Sequence, residues 1–246
     1  MAVEQTNTKP AISVVVPVHN ERDNVAPLIA EIVAALRGRW SFEIIYVDDL
    51  SRDDTVAVLA KLKETIPELR VIRHLSQSGQ STAIRNGVKA ARSAWIATLD
   101  GDGQNDPADI PKLIAERDHA SPELKLFAGW RVSRKDTASK RYASRFANAL
   151  RRRILRDETP DTGCGIKLFE REAFVELPYF DHMHRYLPAL MQRAGWKVKS
   201  VPVNHRERSG GISKYNNLNR ALVGISDLRG VGWLIKRAKR TAVEEV

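Results

Sequence analysis

The chain has 246 residues, 43% of them apolar, which suits one large α/β domain with or without an appendage. Its 40 lysines and arginines against 30 aspartates and glutamates give a net charge of +10, which favours an anionic partner such as a phosphate substrate, nucleic acid or an acidic membrane surface. Cys164 is the only cysteine, which excludes an intramolecular disulfide and fits a reducing compartment; residues 1–10 do not resemble a signal peptide, and no run of about 18 apolar residues is present to span a bilayer.

Strands alternate with helices through the first half of the chain. Apolar, β-branched runs predict strands at 12–16, 42–47, 69–74, 94–99 and 124–128. Ser51 and Asp54 have the spacing of a capping box, so the second helix is predicted to begin near Ser51. This alternation predicts parallel strands joined by right-handed crossovers.

Three acidic loops follow predicted strands, at 17–21, 48–49 and 100–104, and the carboxyl edge of a parallel sheet would gather them at one place. In the third loop two aspartates stand one residue apart, where they repel each other unless a cation lies between them. Hard oxygen ligands on a tight turn suit Mg²⁺ or Mn²⁺. The alternative is an acidic, glycine-rich turn that only caps the helix after Pro107. Three such loops in a basic protein favour a metal or nucleotide site.

The second half of the chain is more basic. Residues 131–156 hold ten basic residues and one acidic residue, with an apolar stripe beside a cationic one, which predicts a helix near lipid phosphates or one with a solvated charged face. Strands are predicted at 166–169 and 197–203, and a helix at 184–193. The basic Gly/Ser loop at 206–215 has the composition of a phosphate-binding loop.

The C-terminal segment combines an apolar helical stripe between Leu218 and Leu228 with a tryptophan and a basic cluster at 236–240. This pattern favours the membrane surface or a membrane partner, with packing back onto the domain as the alternative. Three glycines, Gly224, Gly230 and Gly232, weaken the case for one continuous helix.

Five motifs occur in the order typical of one enzyme family. They are Pro17-Val18-His19-Asn20-Glu21, the stretch from Asp48 to Thr55, Asp100-Gly101-Asp102-Gly103-Gln104, Gly129-Trp130-Arg131, and Arg208 with Gly211-Ile212-Ser213-Lys214. Over residues 12–215 the chain therefore resembles glycosyltransferase family 2, and within it the polyprenyl-phosphate sugar synthases of the dolichol-phosphate mannose synthase type. One departure is Gly101, where the family often has alanine; a glycine there is expected to be tolerated.

The resemblance implies a GT-A fold, which is a Rossmann-like α/β fold of nucleotide-diphospho-sugar transferases with a mixed, mostly parallel central sheet and flanking helices. The expected organisation is a flexible N-terminus at 1–10, a catalytic domain at 11–215 and a basic amphipathic segment at 216–246.

The resemblance also assigns residues to roles. Those expected to bind the nucleotide sugar are Pro17, His19, Glu21, Tyr46, Asp48, Asp100, Gly101, Asp102, Arg208 and Lys214. The expected ligands of Mg²⁺ or Mn²⁺ are Asp100, Asp102 and Gln104. Arg131 is expected to face the acceptor phosphate, and the cationic stripe adds Arg145 to it. The expected catalytic residues are Asp100, Asp102, Arg131, Arg208 and Lys214.

The implied reaction is the metal-dependent, inverting transfer of a sugar from a UDP- or GDP-sugar to dolichyl or undecaprenyl phosphate. A phosphate monoester with a second pKa of about 6 is mostly dianionic at pH 7, so it needs no strong general base. A peripheral position on the cytoplasmic face of a membrane follows, with a separate membrane protein as a possible partner and no role for nucleic acid.

Three alternatives remain open. A family 2 enzyme with a saccharide or protein hydroxyl as acceptor would need a carboxylate base, for which Asp161 is the candidate. A nucleotidyltransferase would share a metal-bearing α/β site but release pyrophosphate. A non-enzymatic nucleic-acid binder would account for the positive charge but leave the clustered aspartates unexplained.

Overall fold

A single mixed sheet organises the chain. The computed structural model describes residues 9–131, 151, 153–155, 157, 159–204, 206, 217–241 and 244–245, without the side chains of 217–222. In sheet order β3-β2-β1-β4-β6-β5-β7, only β6 runs against its neighbours. The strands are β1 (Ile12–Val18), β2 (Phe42–Asp48), β3 (Leu69–Arg73), β4 (Trp95–Thr98), β5 (Leu124–Arg131), β6 (Lys167–Glu170) and β7 (Lys197–Val203).

Helices cover both faces of this sheet. They are α1 (Arg22–Leu36), α2 (Thr55–Thr65), α3 (Gln80–Ala90), α4 (Ile110–Asp118), α5 (Arg171–Val175), α6 (Leu187–Ala194) and α7 (Asn217–Lys236). In β1, Val14 and Val16 pack on the face covered by α1, α2 and α4, whereas Val15 packs on the face covered by α3, α5, α6 and α7. Because both faces are buried, the central strands are continuous apolar runs rather than alternating ones.

The second helix begins four residues later than the capping-box pattern predicts. Ser51 does not cap it: its Oγ accepts from the backbone N–H of Asn20, and its own N–H donates to the Asp48 carboxylate. Helix α2 therefore begins at Thr55, and residues 49–54 form a loop at the sheet edge. The predicted helix at 184–193 is a 3-10 turn at Met183–Tyr186 followed by α6.

The C-terminal helix is continuous despite the glycines that weakened the case for it, because α7 runs unbroken through all three. Val231 is fully buried, and Leu228, Leu234 and Ile235 pack on the same core cluster. This packing outweighs the helix-propensity cost of about 1 kcal/mol per glycine. One face of α7 thus packs back on the domain. Across the described ranges no helix is long and apolar enough to cross a bilayer.

Candidate active site

The three acidic loops meet at the carboxyl edge of the sheet, as the sequence predicts. The last residues of β1 and β2, Val18 and Asp48, are register partners. Beyond them the Asp49 N–H donates to the Val18 carbonyl (2.8 Å), and His19 Nδ1 donates to the Asp49 carbonyl (2.8 Å). The chain leaving β4 joins them, because the Leu99 N–H reaches the Val15 carbonyl.

The first two loops are locked together by side chains that bond to the other loop's backbone. Arg52 N–H donates to Asn20 Oδ1 (2.7 Å), and Glu21 N–H donates to Thr55 Oγ1 (3.0 Å). Asn20 and Leu50 have positive φ angles of 57° and 61°, so the backbone turns sharply at both positions. Asp48 is fully buried and has Arg73 Nε at 3.4 Å. The result is a preformed loop pair at the strand ends.

Asp49 connects this loop pair to the N-terminus of α3, a role that the sequence analysis missed. Its carboxylate accepts the backbone N–H groups of Ser78 and Gly79 (both 2.8 Å) and His74 Nδ1 (2.7 Å). Burial raises the pKa of Asp49, but these hydrogen bonds outweigh burial and the net pKa is lowered. The sequence does not predict this contact, because residue 49 is far along the chain from residues 74–79.

The Asp100–Gln104 motif is a turn held by its own and neighbouring side chains. Asn105 Oδ1 accepts the Asp100 N–H (2.8 Å), and Asp102 Oδ1 accepts the Gln104 N–H (3.1 Å). Gln80, the first residue of α3, donates to Asp100 Oδ1 (2.8 Å). Gln80 and Asn105 are site residues that the sequence analysis did not identify, since an amide near a helix start or turn is an ordinary capping residue.

Gly101 sits tightly against β1. A Cβ at this position would lie 2.5 Å from Val18 Cγ1 and 2.9 Å from the Pro17 carbonyl oxygen. The glycine is therefore more than tolerated here: the motif turn packs closer to the first loop than an alanine allows without a shift.

The carboxylate pair fits a divalent cation by its charge and its donors. Burial, and then the negative charge of Asp102, raise the pKa of Asp100. The ionised form of Asp100 is therefore destabilised, and a bound cation would offset that destabilisation. Within the described part of the chain, Oδ2 of each aspartate accepts no hydrogen bond, leaving a hard oxygen on each. No cluster of three or more His, Cys, Asp or Glu able to hold a metal occurs among the described residues, so further ligands would come from water, Gln104 or a substrate.

Arg131, at the end of β5, forms a nearly buried two-pronged ion pair. Its Nε donates to Asp161 Oδ2 (2.6 Å) and its Nη2 to Asp161 Oδ1 (2.8 Å). Lys167 lies beneath them on β6, buried, with its ammonium donating to the Cys164 carbonyl. Burial lowers the pKa of Lys167 against the opposing attraction of nearby groups that include Asp100 and Asp161. Sequence reasoning missed Lys167, since one lysine in a short strand carries no signal.

Other predicted residues are placed apart from these. Tyr46 is fully buried among apolar core side chains, and its hydroxyl has no hydrogen-bond partner among the described residues. Arg145, Arg208 and Lys214 lie outside the described residues. Arg206, which precedes Arg208 and Lys214 and follows β7, is anchored at the site. Its N–H donates to the Gln104 carbonyl (3.1 Å), and its guanidinium binds Asp106 and Glu31 (both 2.7 Å).

This architecture, with its paired aspartates beyond β4, is that of GT-A nucleotide-sugar transferases. Two solved structures share the fold: a mannosyltransferase from Pyrobaculum calidifontis in complex with GDP-mannose and Mn²⁺ (TM-score 0.65, 16% identity, 96% of this chain and 67% of that one), and glucosyl-3-phosphoglycerate synthase from Mycobacterium tuberculosis with Mn²⁺, UDP-glucose and phosphoglyceric acid (TM-score 0.68, 17% identity, 91% and 80%).

The chain belongs to glycosyl transferase family 2, whose profile matches residues 13–177. It is 35% identical over 237 residues to dodecaprenyl-phosphate galacturonate synthase from Rhizobium johnstonii, covering 93% of this chain and 68% of that protein. It is 32% identical to undecaprenyl-phosphate 4-deoxy-4-formamido-L-arabinose transferase from Sodalis glossinidius, covering 83% and 63%. The chain thus spans roughly two thirds of the length of these relatives.

Proposed function

We propose that this chain transfers a sugar from a nucleoside-diphosphate sugar to a polyprenyl phosphate, with inversion at the sugar C1. The observation that carries the proposal is the placement of the Asp100–Asp102 pair and the Arg131 guanidinium on one sheet edge. That edge combines a cation-binding element with a phosphate-binding element, as a reaction between a diphosphate donor and a phosphate acceptor requires. The similarity to two polyprenyl-phosphate sugar transferases supports this choice of acceptor.

The donor would lie across the loops at 17–21, 48–55 and 100–104, with Arg208 and Lys214 reaching its diphosphate. Asp100 and Asp102, with Gln104, would hold Mg²⁺ or Mn²⁺, which when bound neutralises charge on the departing nucleoside diphosphate. Gln80 and Asn105 keep the Asp100 carboxylate and backbone in place. Pro17, His19, Glu21, Tyr46 and Asp48 would line the nucleoside pocket, and a UDP- and a GDP-sugar both remain candidates.

The acceptor phosphate would bind at Arg131, with Arg145 as a second cation. A phosphate oxygen attacks C1, the bond from C1 to the diphosphate oxygen breaks, and the nucleoside diphosphate departs. Because the phosphate is already ionised at pH 7, no side chain needs to remove a proton. One direct displacement inverts the configuration at C1.

A polyprenyl phosphate lies in a membrane, and one face of α7 is suited to binding at the membrane surface. Arg229, Trp233 and Arg237 succeed one another along one exposed helix face, opposite the packed Val231. Asp227, the one acidic residue between 217 and 241, is paired with His182. We propose peripheral attachment through this cationic, aromatic face, on the cytoplasmic side where the anionic lipids lie; a separate membrane protein would be an additional partner.

The direct test incubates the purified chain with Mn²⁺, a panel of UDP- and GDP-sugars, and undecaprenyl phosphate in detergent. The expected products are one sugar-phosphoryl lipid and the matching nucleoside diphosphate, both abolished by EDTA. Saccharide and peptide acceptors and nucleic acid serve as parallel arms. Transfer to hydroxyl acceptors alone, release of pyrophosphate, or nucleic-acid binding without turnover would each contradict the proposal.

A further inference from the structure

We infer that Asp161 is a positioning residue for the acceptor phosphate: it holds the Arg131 guanidinium in one orientation and does not act as a general base. The inference rests on the proposed function and adds to it the residue that prepares the acceptor site. It also departs from the one role that the sequence analysis gives Asp161, that of a carboxylate base for a hydroxyl acceptor.

The geometry uses the Asp161 carboxylate for binding Arg131. Both of its oxygens accept from the guanidinium, at 2.6 and 2.8 Å, in the parallel two-bond arrangement that fixes a guanidinium plane. Both side chains are nearly buried, with 11% of Arg131 and 8% of Asp161 exposed. A base must instead direct a lone pair at the substrate proton, and this carboxylate directs a lone pair of each oxygen at Arg131.

The same geometry leaves the other edge of the guanidinium available. Arg131 has five N–H donors, of which Asp161 engages the one on Nε and one on Nη2. Within the described part of the chain, Nη1 donates to no acceptor. A phosphate approaching that edge meets a donor set held in place before it arrives, which lowers the entropy cost of binding it.

The ion pair also keeps the arginine charged in a buried site. Burial lowers the pKa of the Arg131 guanidinium, but the hydrogen bonds and charge of Asp161 outweigh burial and the net pKa is raised. Gly163 follows in the same loop. A Cβ built on Gly163 would lie 3.5 Å from Arg131 Nη2. At residue 163 the loop thus approaches the guanidinium without a side chain in between.

The test compares Asp161→Asn in the wild-type and Arg131→Ala backgrounds, with undecaprenyl phosphate and the donor identified for the wild type. The KM for polyprenyl phosphate is expected to rise about 10- to 100-fold, the effect of disrupting a hydrogen bond to a charged group, while the KM for the nucleotide sugar changes less than about twofold. In the Arg131→Ala background, Asp161→Asn is expected to add little, since coupled residues are not additive.

Glu43→Gln is the matched control. Glu43 is a buried carboxylate that accepts from Arg70 (2.6 Å), near the opposite edge of the sheet. This variant is expected to lose stability without separating the two KM values. If Asp161→Asn does not fold, Asp161→Glu retains the charge but moves the carboxylate by one methylene, and the rise in acceptor KM is expected there too.

The outcomes are distinct. A collapse of kcat in both backgrounds, with loss of the acidic limb of the pH profile, would make Asp161 the base and overturn the inference. Unchanged KM values in Asp161→Asn would overturn it too, while wild-type transfer to polyprenyl phosphate would leave the proposed function standing. If the wild type uses only hydroxyl acceptors, the proposed function fails first.

Discussion

Gly165 shows how closely the Asp100–Gln104 motif depends on a single missing side chain. A Cβ there would lie 2.2 Å from Asp100 Oδ2 and 2.5 Å from Asn105 Oδ1. The Gly165 carbonyl accepts from Thr98 Oγ1 (2.9 Å), so its backbone cannot retreat freely. The Asp100 carboxylate therefore keeps its place only while residue 165 is a glycine.

We expect Gly165→Ala to lower the free energy of unfolding by about 1–3 kcal/mol, as overpacking does, and to weaken Mn²⁺-dependent donor binding by displacing Asp100. Urea unfolding and calorimetric titration of Mn²⁺ with nucleotide measure the two effects. Gly224→Ala on α7 is the control: among the described residues no atom lies within 4 Å of its added Cβ, and a gain of roughly 0.5–1 kcal/mol is expected. Unaltered donor binding in Gly165→Ala would contradict this account of the site.

The sequence reveals site residues only where motif spacing carries them. Asp100 and Asp102 are visible because two carboxylates so close together need a reason. Gln80 and Lys167 are not visible, because their partner Asp100 is distant in the chain and only the β4–β6 pairing and the α3 packing bring them near it. The role of Tyr46 rests on family position alone and stays a prediction; its ring is buried in the core.

At the scale of elements, the 3-10 turn at Met183–Tyr186 and helix α3 share a buried histidine contact. Ser81 Oγ lies 2.7 Å from His184 Nδ1. Burial, and then the charges of Lys167, Arg185 and His182, lower the pKa of His184 to about 3. The imidazole is therefore neutral in the folded protein at all but strongly acidic pH.

This contact predicts a pH dependence of stability. Below about pH 6.5 the unfolded chain protonates His184 and the folded chain does not, so stability falls as the pH drops from 6.5 towards 3, by at most about 1.4 kcal/mol per pH unit. His184→Asn, which can still bond to Ser81 but cannot titrate, is expected to flatten that slope. Urea unfolding between pH 7 and 4 checks it, and equal slopes in variant and wild type would refute it.

The predicted elements agree with the structure where the local pattern is clear, as in the apolar runs of β1 and β2 and the alternation of β7. They differ where tertiary contacts compete with local signals. Ser51 satisfies the local rule for a helix start, but its hydroxyl and its N–H bond instead to Asn20 and Asp48 in the loop. The three glycines of α7 satisfy the local rule for interruption, but the core beneath Val231 holds the helix together. The family resemblance implied a mixed sheet but not which strand is antiparallel, and the structure identifies it as β6.

At the scale of the whole molecule, donor binding should stabilise the fold through loops from three separate strands. At 100 times the Kd the gain is about 2.7 kcal/mol, which raises the Tm by roughly 5–10 °C for a chain of this size. We expect the shift with the matching nucleotide sugar plus Mn²⁺, and its loss in Asp102→Ala. The control is Asp118→Ala, which should keep the shift. Asp118 is exposed at the end of α4 and, among the described residues, pairs only with Arg117. An equal shift in both variants would argue against Asp102 as a metal ligand.

The net charge of +10 raises the question of whether membrane attraction is spread over the surface or concentrated on α7. Under the proposed function we expect it on α7, where the Arg237 guanidinium lies 5.7 Å from the ring centroid of Trp233 and that ring is 59% exposed. Each basic residue at an anionic surface contributes about 1 kcal/mol, so Lys236→Gln with Arg237→Gln should lower binding to phosphatidylserine vesicles by about tenfold or more, and Trp233→Ala should weaken it further. Flotation and the salt dependence of binding measure this.

The control removes the same charge from exposed positions on α2, with Lys61→Gln and Lys63→Gln. Equal losses in both pairs would mean that net charge alone draws the protein to the membrane, and that α7 has no special orientation towards it.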